Sequence, residues 1–243
     1  MDCLEVLFNH QSLRSFEKRA LTETEVNNIK RAVVQTSSAC FYQVVRTVRV
    51  TDRKLLQQIG EVSGGTMKLA KAPEFWLFCL DYSLLRRVGE LPDKIPFHLF
   101  FLGVNDCALA CQNALTAAEA QGLGGVVIGG FNNAINAVCE ILKLPKGVAP
   151  CIGLVLGKPD ERWRGEQKPR LPVEWLIQEN GFTDPYNEEE FSSYNERFRQ
   201  YCLKRTSNQK DKTWAQACAS SLARKDHRDD LIAFYQQQGF EFV

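Results

Sequence analysis

The chain has 243 residues, 44% hydrophobic and 24% charged, which suits one large soluble domain or two small ones and argues against disorder. Thirty basic and 29 acidic side chains leave a net charge of +1, so no field is strong enough to make nucleic acid or an anionic membrane the main partner. Any basic function must be local.

The opening Met-Asp-Cys-Leu-Glu lacks the basic flank and apolar core of a secretory signal, so a cytoplasmic location is expected. His10-Gln11-Ser12-Leu13-Arg14-Ser15-Phe16 then places two basic side chains and two hydroxyls together, a set that suits a phosphate. Taken alone, a solvated charged loop explains the segment better. Thr22 with Glu25 reads as a capping box opening a helix over Thr22–Thr36, with Val26, Ile29, Ala32 and Val33 at helical spacing. After Ser37 and Ser38, the β-branched run Val44–Val50 predicts a strand, and Asp52 caps a short helix ending at Gly60.

Glu74–Leu80 (EFWLFCL) has no room for a polar face and predicts a strand buried on both sides. A long helix follows over Phe97–Gln121. Its apolar stretch Leu99–Ala120 is interrupted by Asn105, Asp106, Gln112, Asn113 and Glu119, which makes it a buried helix rather than a membrane span. Cys107 and Cys111 share one face of it, and two packed small residues explain them more simply than a redox or metal pair. The nine cysteines are odd in number and form no CxxC or CxxH, so most read as reduced core thiols.

Gly122, Gly124 and Gly125 stop the helix, and Val126–Ile128 form a short strand ending at Gly129 and Gly130. Glycines here let a planar ligand approach the main chain; tight packing of helix on strand uses glycine for the same steric reason. A helix over Asn133–Leu142 and a strand over Cys151–Leu156 complete an interleaved order that favours a sheet with helices on both faces. Lys158–Pro172 is a loop in which prolines hold Lys168 and Arg170 to one side of an extended segment. That pair suits a phosphate, although alone it reads as a linker with incidental charge. From Glu188 the chain is helical and polar, with Tyr194, Phe198 and Tyr201 as one stripe and Leu222, Leu231, Ile232, Phe234 and Tyr235 later. Such a segment is hard to bury alone, so packing on another subunit is expected.

There is no GxSxG, HExxH, P-loop or GxGxxG after a strand, and His10, His98 and His227 have no metal-site spacing. No metal is expected, and hydrolase chemistry is poorly supported. An enzyme of this kind would rely on a cofactor that the protein binds and orients.

The co-ordered motifs are HQSLR at His10, TSS at Thr36, SGG at Ser63, EFWLFC at Glu74, ALACQNALTAAEAQGLGG at Ala108, IGG at Ile128, KPRLP at Lys168 and RTSN at Arg205. Together they cover nearly the whole chain, which resembles the nitroreductase superfamily and, within it, the oxygen-insensitive NADPH nitroreductase and NADPH:FMN oxidoreductase group. The resemblance implies an α+β fold with a mixed central β-sheet covered by helices on both faces. It implies a core of residues 1–157 with 166–182 and a helical extension, 183–243, packing on the partner subunit, a single domain overall. It also implies a homodimer with non-covalent FMN at the interface, NADPH as co-substrate, and ping-pong reduction of small-molecule electron acceptors: nitroaromatics, quinones or free flavin. A flavin-binding protein of the same fold with little turnover is the alternative.

Carried over by position, His10, Ser12, Lys168 and Arg170 would contact the FMN phosphate, with Gln11 in the same segment. Arg14 would reach the ribityl chain and pyrimidine end, where a cation favours the reduced flavin. Ser37 and Ser38 would contribute from the partner subunit, and Ile128, Gly129 and Gly130 would line the ring, the Gly129 amide facing N5 where hydride arrives. Arg14 and Gly129 are therefore the expected catalytic positions, and Arg205 and Lys210 the NADPH-binding ones. The chain departs from the pattern at Thr66, where relatives have Gln on the pyrimidine edge, and at Val127, where relatives have Tyr.

Overall fold

A computed structural model describes residues 2–64, 69–89, 91–223, 228 and 230–242. They form two compact units, Met1–Asp160 with Arg228–Val243, and Glu161–His227.

In the first unit, helix α1 (Cys3–Phe8) opens on an Asp2–Glu5 capping box and α2 (Glu23–Val34) on the expected Thr22–Glu25 box, in which Glu25 N donates to Thr22 Oγ1 at 3.2 Å and Thr22 N to Glu25 Oε2 at 2.7 Å. Strand β1 (Val45–Val50) leads into α3 (Arg53–Val62), where the Asp52 carboxylate accepts the amides of Lys54 and Leu55 at 2.8 and 3.0 Å. Strand β2 (Glu74–Asp81), helices α4 (Ser83–Val88) and α5 (Phe97–Ala120), strand β3 (Gly124–Ile128), helix α6 (Ile135–Leu142) and strand β4 (Val148–Gly157) follow.

The strands form one sheet in the order β1-β2-β4-β3, antiparallel at every pairing. Parallel pairing, expected of a mixed sheet, is confined among the described residues to single bridges, Ser12 with Gly125 and Ile95 with Phe240. β2 is buried at every residue, so both faces of the sheet centre are covered, and truncating Phe75 or Phe78 there should cost about 3–5 kcal/mol. Of its two acids, Glu74 is satisfied by Trp76 Nε1 at 2.8 Å and by the guanidinium of Arg49, and Asp81 pairs with Arg46 at 3.2 Å and accepts the Ser83 amide at 2.8 Å. α5 touches all four strands, and Gly103 permits that approach: a Cβ there would lie 2.4 Å from the Leu80 side chain.

Two boundaries differ from expectation for local reasons. β3 begins at Gly124 rather than Val126, because Gly124 and Gly125 pair with Gly157 and Leu156 of β4. The helix expected from Asn133 starts at Ile135, because Gly130–Ala134 winds as a 3₁₀ turn.

The second unit holds α7 (Val173–Leu176), α8 (Glu188–Lys204) and α9 (Trp214–Leu222). α8 buries Tyr194, Phe198 and Cys202, so its third inward residue is Cys202 and not Tyr201, as spacing of four predicts once Tyr194 faces in. Trp214 of α9 meets Phe191 and Tyr194 ring to edge. The last helix, α10 (Asp230–Gln237), returns to the first unit, where Phe234 is buried. No helix among the described residues is long and apolar enough to cross a membrane.

Candidate functional site

The first basic segment is laid along the start of β3 and the exit of β4. Leu13 N donates to Gly125 O at 2.8 Å, Glu17 N to Lys158 O at 2.9 Å and Asp160 N to Ser15 O at 3.1 Å. Leu13 also covers Gly124, where a Cβ would come within 2.7 Å of its side chain. These contacts present Ser12 and Arg14 to solvent, while Gln11 is half-buried. His10, also half-buried, places Nδ1 2.7 Å from Oε1 of Glu119 in the last turn of α5.

The Thr36-Ser37-Ser38 segment hangs on the middle of α5. Ser38 Oγ donates to Asp106 Oδ2 at 2.7 Å, the Ala39 amide donates to the same carboxylate at 3.0 and 3.2 Å, and Gln43 N donates to Ser38 Oγ at 2.8 Å. Asn113 Nδ2, two turns on, donates to Thr36 Oγ1 at 2.9 Å. Asp106 is only 3% exposed, so the charge is compensated by these donors. The loop they hold is strained: Cys40, Phe41 and Gln43 all have φ near +50°, and Phe41 stands 77% exposed. Ser37 is exposed at its start.

The glycines around β3 divide into two kinds. A Cβ on Gly125 would lie 2.6 Å from Val155 O, so there, as at Gly124, glycine serves packing. At Gly129 a Cβ would meet only Asn132 Nδ2 at 3.8 Å and Arg228 Nη1 at 3.9 Å, so packing does not explain glycine there. Gly129 is exposed, with half-buried Ile128 and Gly130 on either side and exposed Val127 before them. Arg228 Nη1 donates to Gly129 O at 3.3 Å, and the buried Oδ1 of Asn132 has no hydrogen-bond partner among the described residues. Ser12 at Gly125 and the open Gly129 thus mark opposite ends of β3, about 13 Å apart along the strand.

In the second unit, Lys168 and Arg170 are exposed on either side of Pro169, whose carbonyl accepts from Tyr194 of α8 at 3.4 Å. Arg205 ends α8 and Lys210 lies on the loop beyond, which is tied back by Lys210 N to Cys202 O at 3.4 Å and by the Arg199–Asp211 ion pair. Thr66 lies outside the described residues.

The arrangement suits the expected flavin. Exposed Ser12 and Arg14 offer anion-binding groups at one end of β3, while the open glycine and the unpaired amide oxygen of Asn132 offer room and a polar atom at the other. Among the described residues no cluster of His, Cys, Asp and Glu could hold a metal. Cys107 and Cys111 are buried free thiols; burial pushes Cys111 up to about 12, so neither is a thiolate near neutrality. Glu119 and Asp106 entered the sequence reading only as interruptions of an apolar helix, yet each anchors an expected site segment. A charged residue in an otherwise buried stripe was the signal available for both. Arg228 had no such signal.

Models of the nitroreductase family match residues 7–158, and of its C-terminal domain residues 168–243. The oxygen-insensitive NADPH nitroreductase of Salmonella typhimurium is 39% identical over 239 residues, covering 98% of this chain and 97% of that protein. The NADPH-flavin oxidoreductase of Vibrio harveyi is 34% identical over 236 residues, covering 97% of each. The solved NADPH:FMN oxidoreductase from Vibrio harveyi complexed with NAD+ superposes with a TM-score of 0.87 at 31% identity, covering 99% of both chains.

Proposed function

Because the chain belongs to the nitroreductase family, we infer that it is an FMN-dependent NAD(P)H oxidoreductase. FMN, when bound, supplies the two-electron chemistry between NADPH and the acceptor. The chain's own residues bind and orient.

In this reading His10, Gln11 and Ser12 hold the phosphate and Arg14 supplies positive charge toward the pyrimidine end, while Lys168 and Arg170 are assigned to the phosphate by the family resemblance alone. Ile128, Gly129 and Gly130 line the ring, with the Gly129 amide available to its reacting edge and Arg228 fixing the carbonyl of that residue. The line along β3, the Ser12 hydroxyl for the phosphate at one end and an open glycine for the ring at the other, is the observation that carries this assignment.

A homodimer belongs to the same proposal. Phe97, Phe101 and Leu109 are exposed apolar side chains on α5, and the neighbouring α1 exposes Leu4 and Phe8, apolar surface that a second copy could cover. Ser37 and Ser38 are then the partner's contribution. The acceptors are flat, electron-poor molecules, nitroaromatics, quinones or free flavin, reached past Val127 and Phe41, and the free thiols suit a cytoplasmic location.

The purified protein should be yellow, bleach on addition of NADPH in the absence of oxygen, and recover colour with a quinone. A yellow protein that NAD(P)H cannot bleach would instead be a flavin carrier of the same fold.

A further inference from the structure

We propose that the groove between α8 and the 166–169 loop holds the adenosine half of NADPH, with the ring of Tyr201 against the adenine and the side-chain amide of Gln200 on its edge. This rests on the reading that NADPH is the co-substrate.

The groove lies within the second unit and has a volume of about 510 Å³, in the size range of small-molecule sites. One side is a face of α8, where Ser193, Arg197, Gln200, Tyr201 and Lys204 fall at helical spacing, and the 166–169 loop forms the other. The apolar stripe expected of α8 puts Tyr201 in the core. Cys202 takes the inward position instead, which leaves Tyr201 half-buried and lining the groove, its ring centroid 6.3 Å from that of Phe198. An aromatic ring placed so suits a nucleobase, whose flat face stacks without any demand on its edge.

The polar lining narrows the choice of base. Gln200 Nε2 donates one hydrogen to Glu196 Oε1 at 2.7 Å. Its second hydrogen and its carbonyl oxygen remain as the donor and acceptor pair that matches the N7 and N6 edge of adenine. The groove's two acids are offset by cations: Arg199 Nη1 lies 3.3 Å from Glu196 Oε1, and Lys204 Nζ lies 4.0 Å from Glu166 Oε1. Arg197 forms no ion pair among the described residues and sits 5.9 Å from the centre of the Tyr194 ring, which leaves it for a diphosphate. Lys204, at the end of the groove, adjoins Arg205, the residue assigned to the NADPH phosphate, and the bond from Lys210 N to Cys202 O at 3.4 Å folds the loop back to the same end of α8. A flat base joined to two separate anionic groups fits this line, and NADPH carries both on its adenosine half.

The test is calorimetric binding of adenosine 2′,5′-bisphosphate, the adenosine end of NADPH alone, to the FMN-loaded protein. Beside it, turnover is measured with NADPH and with reduced nicotinamide mononucleotide, which lacks the adenosine. Wild type should bind the bisphosphate, Tyr201→Ala roughly tenfold more weakly, and Tyr201→Phe within about twofold of wild type, because the ring and not the hydroxyl meets the base. Gln200→Leu, at an exposed position of α8, should also lose roughly tenfold. In Tyr201→Ala the ratio of kcat/KM for NADPH to that for the mononucleotide should fall by a similar factor, through KM rather than kcat. Failure of the wild type to bind the bisphosphate overturns the proposal, as does wild-type affinity in both Tyr201→Ala and Gln200→Leu. If Tyr201→Ala does not fold, Gln200→Leu decides alone. The co-substrate reading fails separately, when NADPH leaves the flavin of the wild type oxidised. Flavin bleached by NADPH, with bisphosphate binding lost in Arg205→Ala but kept in Tyr201→Ala and Gln200→Leu, retains the co-substrate and removes it from the groove.

Discussion

The hydroxyl of Ser38 donates to the buried carboxylate of Asp106 at 2.7 Å, and the same oxygen of Ser38 accepts the amide of Gln43 at 2.8 Å. One acid on α5 thereby closes a loop whose Cys40, Phe41 and Gln43 are all left-handed. Asp106→Ala should lose about 2–3 kcal/mol, since it leaves a hydroxyl and an amide without the acceptor that orders them. For a chain this size the melting temperature should fall by roughly 5–10 °C. Asp106→Asn, which keeps an acceptor oxygen, should lose about half as much, and thermal unfolding of the two variants beside wild type measures the difference.

The two kinds of glycine should respond differently to a methyl group. Gly125→Ala puts a Cβ 2.6 Å from Val155 O and should destabilise by about 1–3 kcal/mol. Gly129→Ala has φ −116° and only ordinary contacts, so its melting temperature should stay near wild type while FMN content or turnover drops. Full flavin content and turnover in Gly129→Ala would place the ring elsewhere.

We propose that nicotinamide choice lies with Arg205, at the end of α8, and Lys210 beyond it, the positions that the family resemblance points to. Arg205→Ala should lower kcat/KM for NADPH roughly tenfold, the loss of one charge-assisted contact to a phosphate, and leave NADH nearly unchanged. An equal NADPH-to-NADH ratio in wild type and variant would remove the assignment.

Acid stability should depend on Glu25. Bonds from Arg19 at 2.9 and 3.0 Å, with further help from Thr22, outweigh the effect of burial and lower its pKa from 4.5 to about 2. The folded value is the lower one, so the stabilisation is present above about pH 4.5 and is lost as pH falls toward 2. Melting of wild type and Glu25→Gln should differ by about 1–2 kcal/mol at pH 7 and converge near pH 2, as seen in calorimetric scans across that range.

What could be read from the sequence was whatever is settled locally. The Thr22–Glu25 box, the Asp52 cap and the wholly buried β2 stand as expected, because each depends on residues within a turn or on a single run. The partner of Asp106 lies 68 residues away and that of Glu119 lies 109 away, so neither role has a local pattern. The glycine run shows the same limit from the other side. Its composition suited both ligand approach and packing, and only the positions of Val155 and Leu13 show that Gly124 and Gly125 serve the second while Gly129 does not.

Asp106 and Glu119 lie thirteen residues apart on one helix, about 20 Å, beyond the distance over which substitutions ordinarily influence one another. Changes in the Ser38 loop and in the His10 segment should therefore sum in their effect on apoprotein stability. For anyone reshaping acceptor preference, α5 is a chassis with two separately replaceable fittings, and the stability of a combined variant follows from the sum of the changes measured at each.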